Sequence, residues 1–222
     1  MHYESFLTAL TNRFGNQDPL PNSPLVVDLG CGPATTLFAL GDWMYERRGG
    51  PSLLASIGID ISAPLLRIGN QMITGANLFA PPSVHLMRHS VEDLTDADLA
   101  EAVKNRDGVI CALSYVVHQE FMLDMRLLAS LMMRVRRYSR GLPTWFLLQD
   151  ANFPERPDEF TEIWPESRIN VLANRCEEVG YRIRNWKTKF TAPRLVVGMD
   201  GQFRAGQAGE TQNVCHFFQR IA

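Results

Sequence analysis

An apolar, β-branched run that breaks into a glycine-bearing turn and then becomes helical constrains this chain more than any other stretch. It reads Leu25-Val26-Val27-Asp28-Leu29-Gly30-Cys31-Gly32-Pro33-Ala34-Thr35-Thr36. Leu25 to Leu29 suits a strand buried on both faces of a parallel sheet. Asp28 interrupts the run near its carboxyl end. A carboxylate there is costly to bury alone, so it points to a ligand or to the turn's own amides. Gly30 and Gly32 lack a Cβ, which lets the backbone turn tightly and lets a ligand approach the main chain. A helix then continues from Thr35 to Tyr45. This order of elements is a cradle for a nucleotide-type cofactor; the competing reading is a glycine turn that merely ends a buried strand.

The spacing separates the cofactor types. A Gly-x-Gly-x-x-Gly fingerprint of the nicotinamide kind needs a third glycine where Thr35 stands. Asp28-Leu29-Gly30-Cys31-Gly32 instead resembles the first motif of the class I S-adenosylmethionine (SAM)-dependent methyltransferases. In that family the third glycine is often replaced, and here Ala34 takes its place. The resemblance implies SAM as cofactor, with Asp28, Gly30, Cys31 and Gly32 around it.

The next apolar run, Leu53 to Asp60, is a second strand that ends in a carboxylate. Asp60 lies 28 positions after Gly32, more than the roughly 20 of a minimal nucleotide-binding unit, and an insertion around Arg47–Ser52 accounts for the excess. A carboxylate at this strand end accepts hydrogen bonds from both ribose hydroxyls in nucleoside-binding folds. Its other reading is a helix cap, because Ser62 and Pro64 follow and Leu65–Ile73 is helical. By resemblance Ile61 joins the cofactor set. A third strand, Val84–Arg88, follows the Pro81-Pro82 break and ends at His89-Ser90-Val91-Glu92-Asp93-Leu94. There the family pattern meets the adenine, with Ser90 or the Val91 amide on the base edge and the Val91 side chain on its face. Glu92 and Asp93 equally suit the start of a helix over Asp96–Val103.

Gly108–Ser114 is a fourth strand running into Tyr115-Val116-Val117-His118-Gln119-Glu120. In a doubly wound sheet the carboxyl ends of strands one and four flank a single crevice. The stretch from Ala112 to His118 resembles the fourth methyltransferase motif. The resemblance implies that backbone carbonyls of Ala112 and Leu113 hold the cofactor's amino group, and that Tyr115 and His118 face the methyl acceptor. His118, with an ordinary imidazole pKa of about 6.5, suits a general base, against the reading of a solvated or capping histidine.

The remaining elements complete the pattern. Residues 1–24 form an amphipathic helix with Tyr3, Phe6, Leu7, Leu10 and Phe14 on one face, then a proline-rich linker. Tyr3 and Phe6 either line the cofactor site or pack the helix onto the sheet. Glu120–Tyr138 is a long helix ending in Arg134, Arg136, Arg137 and Arg140, a phosphate-binding cluster or a solvated helix end. Trp145–Gln149 is a fifth strand. Residues 154–167 carry Phe160, Ile163 and Trp164 among prolines and acids, as a substrate flap or a packed loop. A helix over Ile169–Val179, strands over Tyr181–Lys189 and Asn213–Ile221, and a glycine-rich hairpin over 198–209 follow, with Leu195–Val197 as an extension of the sheet. The fold expected is α/β: one domain over 1–222, a doubly wound, mostly parallel seven-stranded sheet with an antiparallel carboxyl-terminal strand and helices on both faces.

Composition limits the partners. The 222 residues, 45% of them hydrophobic, suffice for one substantial core. A net charge of −2 provides no field to draw nucleic acid or an anionic membrane. No apolar run approaches the roughly 20 residues of a membrane span, and the amino terminus lacks a secretory layout, so a cytoplasmic protein is expected. Cys31, Cys111, Cys176 and Cys215 form no metal or disulfide pattern and read as small hydrophobes. The function expected is methyl transfer from SAM to a nucleophilic oxygen or nitrogen of a small-molecule acceptor. The alternatives are an RNA- or protein-directed methyltransferase, a non-catalytic SAM-binding or partner-regulating module, and a nicotinamide-dependent oxidoreductase, which Thr35 disfavours.

Overall fold

The computed structural model describes residues 2–80, 84–114, 125–139, 141–151, 183–192, 195–197, 203–205 and 211–220. Its centre is strand β1 (Pro24–Leu29), all six residues of which are buried. Pro24 costs no ladder bond because it stands first in the strand. β1 pairs in parallel with β2 (Ala55–Ile59) and with β4 (Gly108–Ser114), so that Asp28 lies level with Gly58 on one side and Ala112 on the other. β3 (His85–Arg88) continues the parallel run beyond β2, and β5 (Thr144–Ala151) continues it beyond β4. Two long strands, β6 (Ile183–Ala192) and β9 (Thr211–Arg220), complete the sheet in the order β3-β2-β1-β4-β5-β9-β6, with β9 antiparallel to both of its neighbours.

Leu195–Val197 does not extend that sheet. As β7 it pairs antiparallel with β8 (Phe203–Ala205) in a separate two-stranded sheet. Three residues that begin three positions after the end of β6 pair with the next short strand, a pairing between close neighbours in sequence that costs little loop-closure entropy.

Alternation along β1 sends side chains into two cores. Leu25, Val27 and Leu29 meet Ile57, Val109, Phe146 and Leu131, beneath helices α4 (Asp96–Val103) and α5 (Met125–Tyr138). Val26 joins Ile110, Trp145 and Leu147 on the other face, beneath α1 (His2–Phe14) and α2 (Thr35–Arg48). There Trp43 is fully buried, and the Phe14 ring lies 5.7 Å from it and 5.6 Å from Trp145. Phe6 is buried in this core and the Tyr3 hydroxyl donates to Asp42 of α2, so the amino-terminal helix spends its aromatic face on packing. The proline linker is fixed by Arg48, which binds Asp18 through two nitrogens at 2.6 and 2.9 Å and donates to the carbonyls of Leu20, Pro21 and Asn22. No helix among the described residues is long and apolar enough to cross a membrane.

Thr95 begins α4, and the helix is capped by its own box: the Asp98 amide donates to Thr95 Oγ1 and the Thr95 amide to Asp98 Oδ2, each at 3.0 Å. Glu92 and Asp93 therefore do not cap it; Asp93 instead closes a small turn with Ser90. Arg134 is likewise a packing residue. It pairs with Asp96 at 3.0 Å and donates to the carbonyls of Val91 and Leu94, tying α5 to the start of α4. Arg140 lies outside the described residues.

At the edge of the sheet His85 Nδ1 and the Ser56 hydroxyl are 2.8 Å apart, and the ring packs on Phe79. Burial and the nearby Arg106 push the imidazole down from 6.5 to about 4. The unfolded chain therefore takes up a proton below about pH 6.5 that the folded chain refuses until about pH 4. Stability should fall through that window as pH drops, by about 2 kcal/mol after discounting for the ring's partial exposure. Urea midpoints at about pH 7 and pH 4.5 measure the slope, and the share due to this residue is the part that vanishes in His85→Gln.

Candidate functional site

The carboxyl ends of β1, β2 and β4 meet at one place, and the turn after β1 is locked there by the turn after β2. Gly30 and Cys31 both donate their amides to the Ile59 carbonyl, at 2.7 and 3.1 Å. Gly32 donates to Asp60 Oδ2 at 2.9 Å, while Asp60 Oδ1 accepts from the Ser62 amide at 2.8 Å. One half-buried carboxylate thus spans the glycine turn and the entry to α3 (Ala63–Gly75). Both readings of Asp60 meet in this geometry, since each carboxylate oxygen has a second lone pair open to a ligand hydroxyl. Asp60 acts on the Ser62 amide, and Ser62 makes no side-chain cap of its own.

The turn needs its glycines. Gly30 and Gly32 sit at φ +70° and +53°, where a Cβ is strained. Ala34 adopts φ 65° at the start of α2, a left-handed conformation that an alanine holds at a cost, and no side chain caps that helix. Its first-turn amides are left for other acceptors, as in helix ends that take anionic or polar ligand groups. α3 closes against the turn because Gly69 carries no side chain: a Cβ there would lie 3.1 Å from the Pro33 carbonyl carbon. Leu65 reaches over Gly32, its Cδ1 4.0 Å from where a Cβ would stand. Neither Gly69 nor Leu65 was legible as part of the cradle, because both come from a helix packed onto it.

Asp28 sits beneath this turn. It is 1% exposed, and neither carboxylate oxygen has a hydrogen-bond partner among the described residues. Burial, and then the charge of Asp60, push its carboxyl well above the usual carboxylate range; the Thr36 hydroxyl opposes this without completing a hydrogen bond. The Cys31 thiol, buried and beside both carboxylates, is raised as well, and is a packing group rather than a nucleophile.

The other expected residues are distributed as follows. Ile61 follows Asp60 and is 81% exposed, a bare apolar side chain at the rim. Ser90 is half-buried and exchanges hydrogen bonds with Asp93. The Val91 side chain is buried in the core with Leu94 and Leu131, and its carbonyl accepts from Arg134. Ala112 and Leu113 are buried in β4, level with Asp28 and Leu29. Tyr115, His118 and the segment 154–167 with Trp164 lie outside the described residues. Among those described, no group of histidine, cysteine and acidic side chains is placed to hold a metal ion.

No protein-family model matches the chain, and no curated protein matches it. Solved structures do. A SAM-dependent methyltransferase from Anabaena variabilis is similar over 100% of this chain and 86% of its own, with a TM-score of 0.55 at 15% identity. One from Aquifex aeolicus is similar over 97% of this chain and 89% of its own, with a TM-score of 0.52 at 14% identity. An arsenic(III) SAM methyltransferase from Chlamydomonas reinhardtii is similar over 100% and 74%, with a TM-score of 0.52 at 13% identity. The chain has the fold of the SAM-dependent methyltransferases, with its glycine turn and Asp60 at the carboxyl ends of the parallel strands.

The tie between the two turns is itself measurable. Asp60→Ala leaves the Gly32 and Ser62 amides without their acceptor and should cost about 1–3 kcal/mol of stability in the ligand-free protein. Denaturant unfolding checks it, with Asp60→Asn, which keeps one carbonyl acceptor, expected to fall between.

Proposed function

We propose that this protein transfers a methyl group from SAM to a nucleophilic oxygen or nitrogen of a small-molecule acceptor. The observation that carries the reading is the Gly32–Asp60 hydrogen bond, which joins a glycine turn to a carboxylate at neighbouring strand ends of a methyltransferase-type sheet. The residues present fit such a cofactor. The backbone of Gly30 and Gly32 leaves the turn unobstructed, and Asp60 retains lone pairs for the ribose hydroxyls. Ile61 supplies an apolar surface for the base, with Ser90 and Val91 at the next strand end, and the carbonyls of Ala112 and Leu113 on the far side of β1 serve the amino group. Bound SAM supplies an already activated methyl group, so the chain's task is to align the acceptor and exclude water. His118 is assigned as the base that takes the acceptor's proton, and Tyr115 as a second acceptor-facing residue.

The lack of a net basic charge favours a small acceptor over RNA. An Asn-Pro-Pro-Tyr-type motif after the fourth strand is absent, which argues against methylation of base amino groups.

SAM and its demethylated product should raise the melting temperature, and NAD should not. At a SAM concentration of about 100 times its Kd the stabilisation should be about 2.7 kcal/mol. A shift with NAD alone would replace this reading with the oxidoreductase one. In a methyl-transfer assay against metabolite and RNA pools, His118→Ala should lower turnover by roughly 10²–10⁴-fold with SAM affinity unchanged. Wild-type turnover in that variant at saturating substrate would return His118 to a structural role. SAM binding with no transfer to any pool would favour the binding module.

A further inference from the structure

The parallel strands have a second end. β1 to β4 begin at Pro24, Ala55, His85 and Gly108. Just before those starts Ser23, Leu53, Val84 and Arg106 line a cavity of about 340 Å³, together with Glu101 and Lys104 from the end of α4. The glycine turn and Asp60 lie at the opposite ends of the same strands, about 20 Å away by strand length. Arg106 is fixed in the cavity wall through one nitrogen: Nη1 donates to the Leu53 carbonyl and, at 3.0 Å, to the Ser23 hydroxyl. Its Nε is buried with no acceptor, and Nη2 has none among the described residues. A guanidinium donor buried in this way is costly to leave unmatched. The neighbouring acid does not serve it, because Asp107 spends its two oxygens on the Asn22 and Ser23 amides at 2.7 and 2.8 Å. Lys104 is exposed and makes no ion pair among the described residues. The wall thus holds two cations against the single carboxylate of Glu101.

We propose that this cavity is a second ligand site and that it takes a small organic monocarboxylate. The edge of a guanidinium formed by Nε and Nη2 presents two parallel N–H donors, which match the two oxygens of a carboxylate. Because Nη1 stays on Leu53 and Ser23, the ligand meets an arginine already held in place, and little ordering is left to be done on binding. Lys104 adds a point charge that demands no particular geometry. A surplus of one positive charge suits a monoanion better than a phosphate dianion. The remainder of the ligand is apolar, since Leu53, which is 51% exposed, and Val84 give the cavity a hydrophobic side. This site stands at the far end of the sheet from the cofactor crevice, and the inference holds whether or not that crevice binds SAM.

The test is an NMR titration of the isotope-labelled full chain with three probes: hydrocinnamate, its neutral counterpart hydrocinnamyl alcohol, and inorganic phosphate. At about pH 7.5 the first is fully ionised. Hydrocinnamate should bind saturably with a Kd of about 1 mM or below, at least about tenfold tighter than either of the others. The shifts should centre on the amides of Ser23, Lys104 and Arg106, and saturating SAM should leave the affinity unchanged. Arg106→Gln should weaken binding at least about tenfold. Since Arg106 also ties Leu53 to Ser23, a second variant guards against its failing to fold. Lys104→Glu removes no side-chain hydrogen bond among the described residues and turns the surplus charge negative, and it too should weaken binding by about tenfold. No saturable binding of hydrocinnamate up to about 10 mM overturns the inference. So does equal binding of the alcohol or of phosphate, or undiminished binding in Lys104→Glu. Displacement of the probe by SAM overturns it as well, by placing the probe in the cofactor crevice.

Discussion

Everything in this molecule is arranged around β1, a strand buried on both faces and paired along both edges. With no free edge and no solvent-exposed side, it is apolar along its length except at Asp28, and its chain can leave only at the end of the sheet. That exit is where the glycines are needed. A turn sharp enough to start α2 directly above the strand passes through positive φ at Gly30, Gly32 and Ala34, and the same geometry keeps side chains away from the backbone there. The cradle follows from how a doubly flanked parallel strand ends.

The turn is then held from its neighbours. Ile59 takes two of its amides and Asp60 a third, so the ends of β1 and β2 behave as one rigid unit. α3 adds to that unit through the close contact of Gly69 with Pro33. This rigidity has an electrostatic consequence. By taking the turn's donors for themselves, Ile59 and Asp60 strip Asp28 of the partners that would have settled its charge locally. Rigidity of the turn and the unpaired acid beneath it are two results of the same set of hydrogen bonds. Stabilisation of the turn leaves a buried acid beneath it without the turn's amides.

Much of this was legible in the chain because it depends on neighbours in sequence. The strand–turn–helix order, the glycines, the carboxylate ending β2 and the β4 run are all local patterns in which residue type and backbone conformation go together. What escaped depends on distant partners, apart from one short-range spacing. Glu92 and Asp93 have the chemistry of helix-capping residues, but Thr95 and Asp98 stand at the spacing that closes a capping box. Arg134 has the look of a solvated helix end until α4 is placed beside it, when Asp96 and two carbonyls claim its donors. Leu195–Val197 has strand composition, and only the geometry shows that its partner is β8.

By itself the sequence determined the α/β class, the position of the cradle and the two acids that mark it, because burial period, glycine conformation and strand-end chemistry act over a few residues. Tertiary structure decided what each acid does. Asp60 lies 28 residues from Gly32 and Asp28 lies level with strands from two other parts of the chain. Which carboxylate receives the turn's amides and which is left buried without them is a matter of distance and direction in space. The same residue type, in two similar strand-end contexts, becomes a satisfied crosslink in one place and a buried acid without the turn's amides in the other, because a hydrogen bond is settled by which donor arrives within about 3 Å.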